Sequence, residues 1–153
     1  MTGSNKTILA VASAGGHWIQ LLRIAPAFED HTVVFASTSK SNKHEVTGYD
    51  YYFFVDGHRK AMWKFFRMFF QLVWIIRKVK PRVIVTTGAA PGLMALIVGR
   101  IFSTRNIWID SIANVDRLST SGMIARRFSD LYLTQWEKLA SQDGRPGFQG
   151  AVI

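Results

Sequence analysis

The sequence predicts a doubly wound parallel α/β sheet, formed as a single domain over residues 1–153. Three observations predict it. Short apolar, β-branched runs alternate with longer helical patterns along the whole chain. Two of those runs open into Gly-rich turns, Ser13-Ala14-Gly15-Gly16-His17 and Thr87-Gly88-Ala89-Ala90-Pro91-Gly92, each followed by a helical pattern. A chain of 153 residues, 48% of them hydrophobic, also has enough apolar surface to fill the core such a sheet needs.

The first strand is expected over 7–13, where Ile8-Leu9-Ala10-Val11-Ala12 is the unbroken apolar run of a strand buried on both faces. A helix over 17–28 follows, with Ile19, Leu22 and Ile24 to pack. Residues 32–37 form a second strand, carried by Val33, Val34 and Phe35. A polar loop over 37–43 leads to a third strand over 51–55. The long apolar helix over 61–79 comes next and is closed by Pro81, which cannot continue it. The fourth strand spans 82–87, an apolar helix 92–102, and the fifth strand 106–110. After a Ser/Thr-rich loop, a short helix over 122–128 leads to the sixth strand over 131–134. Residues 141–147 are polar, with Gly144, Pro146 and Gly147, and 148–153 is a short apolar end of strand character.

The net charge of +9 calls for an anionic partner, and nucleic acid, anionic lipid and phosphorylated substrates all qualify on charge alone. There is no cysteine, which excludes disulfides, thiolate metal sites and a Cys nucleophile. His31, His44 and His58 are scattered without paired spacing, so no metal is expected. Residues 1–6 are short and polar, and no signal peptide is expected there.

Aromatic residues are concentrated in the long helix. On a helical wheel Lys60, Lys64, Arg67, Gln71 and Lys78 occupy a stripe ~60° wide, and nearly all the rest is bulky and apolar. That is more apolar surface than one sheet can cover. The run from Met68 to Ile76 is nevertheless far shorter than the ~20 residues that cross a bilayer. Three readings stay open: an interfacial membrane helix, a partner-docking helix, or a helix buried in the core. The flanking Arg59, Lys60, Arg77, Lys78, Lys80 and Arg82 favour the first, because anionic headgroups attract clustered cations. Its contacts would be Lys60, Trp63, Lys64, Phe66, Arg67, Phe70, Trp74 and Arg77. The same apolar character argues against a nucleic-acid partner, whose binders carry their cations on a polar face.

A strand that feeds a Gly-rich turn into a helix presents free backbone N–H groups and a helix dipole to an anion. Two such turns predict a crevice at the carboxyl ends of parallel strands, suited to a phosphate-bearing ligand. Neither turn is a dinucleotide fingerprint or a P-loop. His17 opens the first helix and is a candidate general base near neutral pH; a locally hydrogen-bonded helix-start residue is the alternative. Asp110 ends the fifth strand, where carboxylates face such crevices; a turn cap with Ser111 is its alternative. Asn114 and Arg117 follow in the same loop, with Arg117 suited to a phosphate. Ser121-Gly122 belongs either to a hydroxyl-rich anion loop or to a plain helix cap at Ser121.

Residues 12–17, 87–92 and above all Ile109-Asp110-Ser111-Ile112-Ala113-Asn114-Val115-Asp116-Arg117-Leu118-Ser119-Thr120-Ser121-Gly122, with Gln135-Trp136 after the sixth strand, resemble the Alg14 family. That family includes the bacterial exopolysaccharide subunits PssD and CpsF, and the resemblance covers essentially the whole chain. It implies a Rossmann-like domain equivalent to the N-terminal, acceptor-side half of a GT-B glycosyltransferase. A separate Alg13-like subunit would bind the nucleotide sugar, a co-substrate rather than a cofactor, and the acceptor would be a polyprenyl-diphosphate saccharide. His17 and then Asp110 become the candidate bases, although Asp110 stands where Glu is expected in the family. Gly15, Gly16, Gly88, Pro91, Gly92, Ser111, Asn114, Arg117, Ser121 and Gly122 become the acceptor-binding set. Gln135, Trp136, Phe148 and Val152, with the tail over 141–153, become the partner contact. Eukaryotic members carry an N-terminal membrane span, for which the helix over 60–80 is the expected substitute. The implied place is peripheral, on the cytoplasmic face of the inner (plasma) membrane. The rival reading is a scaffold that anchors its partner and does no chemistry.

Overall fold

Period-two alternation sends the apolar residues of each strand to opposite faces of one sheet, and helices pack on both faces. The computed structural model describes residues 6–57 and 61–152. Its first strand, β1 (Thr7–Ala12), puts Leu9 and Val11 on one face and Ile8, Ala10 and Ala12 on the other. The remaining strands are β2 (Thr32–Ser37), β3 (Asp50–Phe53), β4 (Val83–Thr86), β5 (Arg105–Ile109), β6 (Leu131–Thr134) and β7 (Gly147–Phe148). They pair in the order β3-β2-β1-β4-β5-β6-β7, parallel throughout. The doubly wound sheet is therefore the fold. Because the chain winds outward one way from β1 and the other way from β4, the order reverses between those two strands.

Helix α1 (Gly16–Ile24) packs Trp18 and Leu21 on the face made by Ile8, Ala10, Val33 and Phe35. The other face carries α2 (Met62–Val79), α3 (Ala89–Ile101) and the short α4 (Thr120–Ala125), packed on Leu9, Val11, Val34, Ile84, Trp108 and Tyr132. Helix α2 ends at Lys80, which takes a left-handed φ of 49° and donates its N–H to Ile76 O at 2.8 Å before Pro81 stops the helix.

Most departures from the sequence expectation have local causes. Helix α3 starts at Ala89 rather than Gly92, because Pro91 falls in its first turn, where no N–H is needed. The first helix stops at Ile24 and continues through Pro26 as a tighter 3-10 turn over Ala25–Phe28. The loop expected over 37–43 winds into 3-10 turns over Lys40–Val46. The terminal strand is only Gly147–Phe148, since β6 offers pairing partners at Leu133 and Thr134 alone.

Candidate functional site

The two Gly-rich turns stand side by side at the strand-order reversal, because β1 and β4 are hydrogen-bonded neighbours. Gly15 (φ 79°) caps α1 and Gly88 (φ 125°) caps α3, both in backbone regions that favour glycine. Neither helix has a side-chain cap, so first-turn N–H groups at two helix starts face the same crevice without a side-chain acceptor.

His17 ties the turns together. Its Nδ1 lies 2.8 Å from Thr87 O, and the Thr87 hydroxyl donates back to His17 O at 2.6 Å. A carbonyl only accepts, so Nδ1 carries the proton and neutral His17 keeps its lone pair on Nε2. Gly88 is required beside the ring: a Cβ there would come within 2.8 Å of His17 Cε1. The ring is half-buried and has one fixed tautomer, the state a proton acceptor needs.

Asp110 is placed differently from a base. It is 1% exposed, and its oxygens accept from Trp108 Nε1 (3.1 Å), Asn114 Nδ2 (2.9 Å), Ser119 N (3.1 Å) and Ser119 Oγ (2.7 Å). The carboxylate folds the 111–119 loop around itself. Ser119, not Ser121, is the helix cap, with Oγ accepting from Gly122 N at 2.9 Å. Gly122 packs on this carboxylate, where a Cβ would meet Asp110 Oδ1 at 2.5 Å.

The expected acceptor-binding residues therefore divide. Gly15 and Gly16 are open at the mouth of the crevice, and Gly88 lies under His17. Pro91 and Gly92 are buried, with Gly92 pressed against the Thr86 side chain. Asn114 is committed to Asp110, and Ser111 accepts from Gln20 Nε2 at 3.1 Å. Arg117 is exposed and makes no side-chain bond among the described residues, and Ser121 is half-exposed.

Gln20 had no reason to be singled out in the sequence, yet it organises the crevice floor. Its Oε1 accepts from Ile112 N (3.1 Å) and from Gln135 Nε2 (2.7 Å). Gln135 also donates to Asp110 O (3.0 Å) and accepts from Val152 N (2.8 Å). At 3% exposed, Gln135 is a buried strut and not a surface contact, contrary to the expectation for it. Trp136 is half-buried, with Nε1 on Ile112 O at 2.8 Å, and Phe148 is half-buried in β7. Val152 instead borders an open apolar groove of about 410 Å³ on the α1 side of the sheet, floored by Ile107, Ile109, Leu131 and Leu133 and walled by Ile24 and Phe28.

Helix α2 is half core and half surface, which removes the fully buried reading. Met68, Leu72, Ile75 and Ile76 are inside, while Trp63, Phe66, Phe70 and Trp74 are 60%, 63%, 65% and 55% exposed along one side. Arg67 and Arg77 are exposed and Lys64 half-exposed. Lys60, with Arg59 and His58, lies outside the described residues. Gln71 leaves the predicted polar stripe to accept from Val55 N at 2.9 Å. No described helix is long and apolar enough to cross a membrane.

A family model described as "Oligosaccharide biosynthesis protein Alg14 like" matches residues 55–152. The chain is 36% identical over 87 residues to the UDP-N-acetylglucosamine transferase subunit ALG14 of Yarrowia lipolytica, covering 53% of this chain and 40% of that one. It thus spans less than half of that relative. Against the Mus musculus subunit of the same name, identity is 25% over 185 residues, covering 95% of this chain and 82% of the relative. In fold the chain is similar to Acinetobacter baumannii MurG (TM-score 0.77, 12% identity, 96% of this chain and 45% of that one). It is also similar to the UDP-GlcNAc 2-epimerase of Neisseria meningitidis (TM-score 0.65, 12% identity, 86% and 41%).

Proposed function

Because the chain belongs to the Alg14 family, we propose that it is the acceptor-binding subunit of a two-component glycosyltransferase working at a membrane surface. The reaction moves a sugar from a nucleotide diphosphate sugar to a polyprenyl-diphosphate-linked saccharide. The observation that carries this reading is the crevice at the strand-order reversal, where two helix starts without side-chain caps converge on a histidine of fixed tautomer. Backbone N–H groups of the turns, with the exposed Arg117 of the loop after β5, suit a lipid diphosphate. As the acceptor oxygen attacks the anomeric carbon, its proton passes to His17 Nε2. The bond from that carbon to the donor's diphosphate breaks, and the nucleoside diphosphate leaves on the partner. Asp110 acts as a positioning residue that holds the loop.

The donor half belongs to an Alg13-like chain seated on the open apolar face beside Val152. The aromatic side of α2 provides peripheral membrane contact on the cytoplasmic leaflet, where lipid-linked acceptors meet nucleotide sugars. UDP-N-acetylglucosamine is the first donor to test, since the relatives are named for it.

The test is a transfer assay on vesicles carrying polyprenyl-diphosphate monosaccharide, with this chain, its Alg13-like partner, or both. Transfer is expected only with both, and His17→Ala lowers kcat about 10²–10⁴-fold. Transfer by this chain alone would overturn the split-enzyme reading. Full activity of His17→Ala in the complex would make the chain the non-catalytic scaffold.

A further inference from the structure

At the end of the sheet opposite the crevice, the strands begin in a cluster of cations. Lys6 precedes β1, Arg82 precedes β4, Arg105 opens β5, and Arg77 and Lys80 come from the end of α2. They border two adjoining cavities of about 610 and 490 Å³ that share Pro81 and Phe102 as a common wall. All five side chains are exposed, and none makes a hydrogen bond or ion pair among the described residues. Three cations elsewhere are paired, Arg100, Arg126 and Lys138 each with an aspartate. Five unpaired cations held around one concavity create a positive potential that a compact anion relieves.

Solvation alone would satisfy cations scattered on a convex face. Here the neighbouring surface is apolar, with Ile101 63% and Phe102 37% exposed on one rim. On the other side Arg77 continues the exposed row of Trp63, Phe66, Phe70 and Trp74 on α2. Nucleic acid would meet apolar surface on both sides of the groove, whereas a lipid headgroup at a membrane interface meets cations and apolar groups together.

We propose that this groove binds the phosphate of an anionic phospholipid headgroup, a second lipid site remote from the acceptor crevice. It rests on the reading that α2 lies in the membrane interface.

The experiment is sedimentation of the full chain with phosphatidylcholine vesicles and with vesicles containing phosphatidylglycerol, using three variants whose thermal midpoints are checked first. Anionic lipid is expected to strengthen binding of the unaltered chain. In Lys6→Gln/Arg82→Gln/Arg105→Gln that gain shrinks at least about tenfold, since each cation near the surface is worth roughly fivefold. Binding to neutral vesicles stays unchanged. Phe70→Ser/Trp74→Ser loses binding to both vesicle types. Arg23→Gln/Lys43→Gln, which removes exposed charge outside the groove and off α2, keeps most of the anionic gain. If the groove variant retains that gain, or if Arg23→Gln/Lys43→Gln abolishes it equally, the headgroup site is overturned while the interfacial helix stands. If Phe70→Ser/Trp74→Ser binds both vesicle types normally, the interfacial helix itself is overturned. Inorganic phosphate and glycerol phosphate are titrated as competitors. Saturation by either at millimolar level with no gain from phosphatidylglycerol identifies a free-phosphate site and overturns the lipid assignment.

Discussion

Removing the Asp110 carboxylate strands the four donors that converge on it, three from the loop it organises and one from the neighbouring β5 tryptophan. Asp110→Ala is therefore expected to lower unfolding stability by about 3 kcal/mol in urea titrations. Tyr132 presents the opposite case. Its hydroxyl is buried without a hydrogen-bond partner among the described residues, and burial, reinforced by the Asp110 charge, pushes its pKa up to about 12. A phenol whose folded pKa lies above its unfolded value keeps its stabilising share below pH 10 and loses it as pH rises towards 12. Tyr132→Phe should leave stability at neutral pH within about 1 kcal/mol and flatten the alkaline decline between those two values.

Among the elements, β2 and β6 occupy the spans their sequences announce, because each is a compact β-branched or aromatic run between turns. Strand β7 was less legible: Gly147-Phe148 has no strand signature of its own and is defined by what β6 offers it. The Gly-rich turns were readable because positive φ leaves a residue-type mark. The roles of Asp110 and Gln135 were not, because they depend on bonds such as Gln20 to Ser111 and Gln135 to Gln20, which join residues 91 and 115 positions apart. Gly92 belongs with the packing of elements rather than with ligand binding. It lets α3 sit on β4 over Thr86, so Gly92→Ala should cost roughly 1–3 kcal/mol of stability. Gly16→Ala, with nothing within 4 Å of the added methyl, provides the matched control in the same denaturation series.

At the scale of the whole molecule, one glutamine connects three regions: the tail at Val152, α1 through Gln20, and the carbonyl of Asp110. Gln135→Ala should speed hydrogen exchange at the Val152 and Ile112 amides together, by about tenfold or more, since Ile112 N depends on the Gln20 oxygen that Gln135 holds. Independent change at the two amides would show that tail and loop open separately. Beside that tail lies the uncovered sheet face floored by Ile107, Ile109, Leu131 and Leu133, and its consequence reaches beyond catalysis. An open apolar sheet face on a newly made chain is a surface that chaperones hold and proteases survey, and two copies can stack on it. The cellular level of this chain is then set by the supply of whatever covers that face. Synthesised in excess, it is cleared or aggregates rather than accumulating as a soluble surplus.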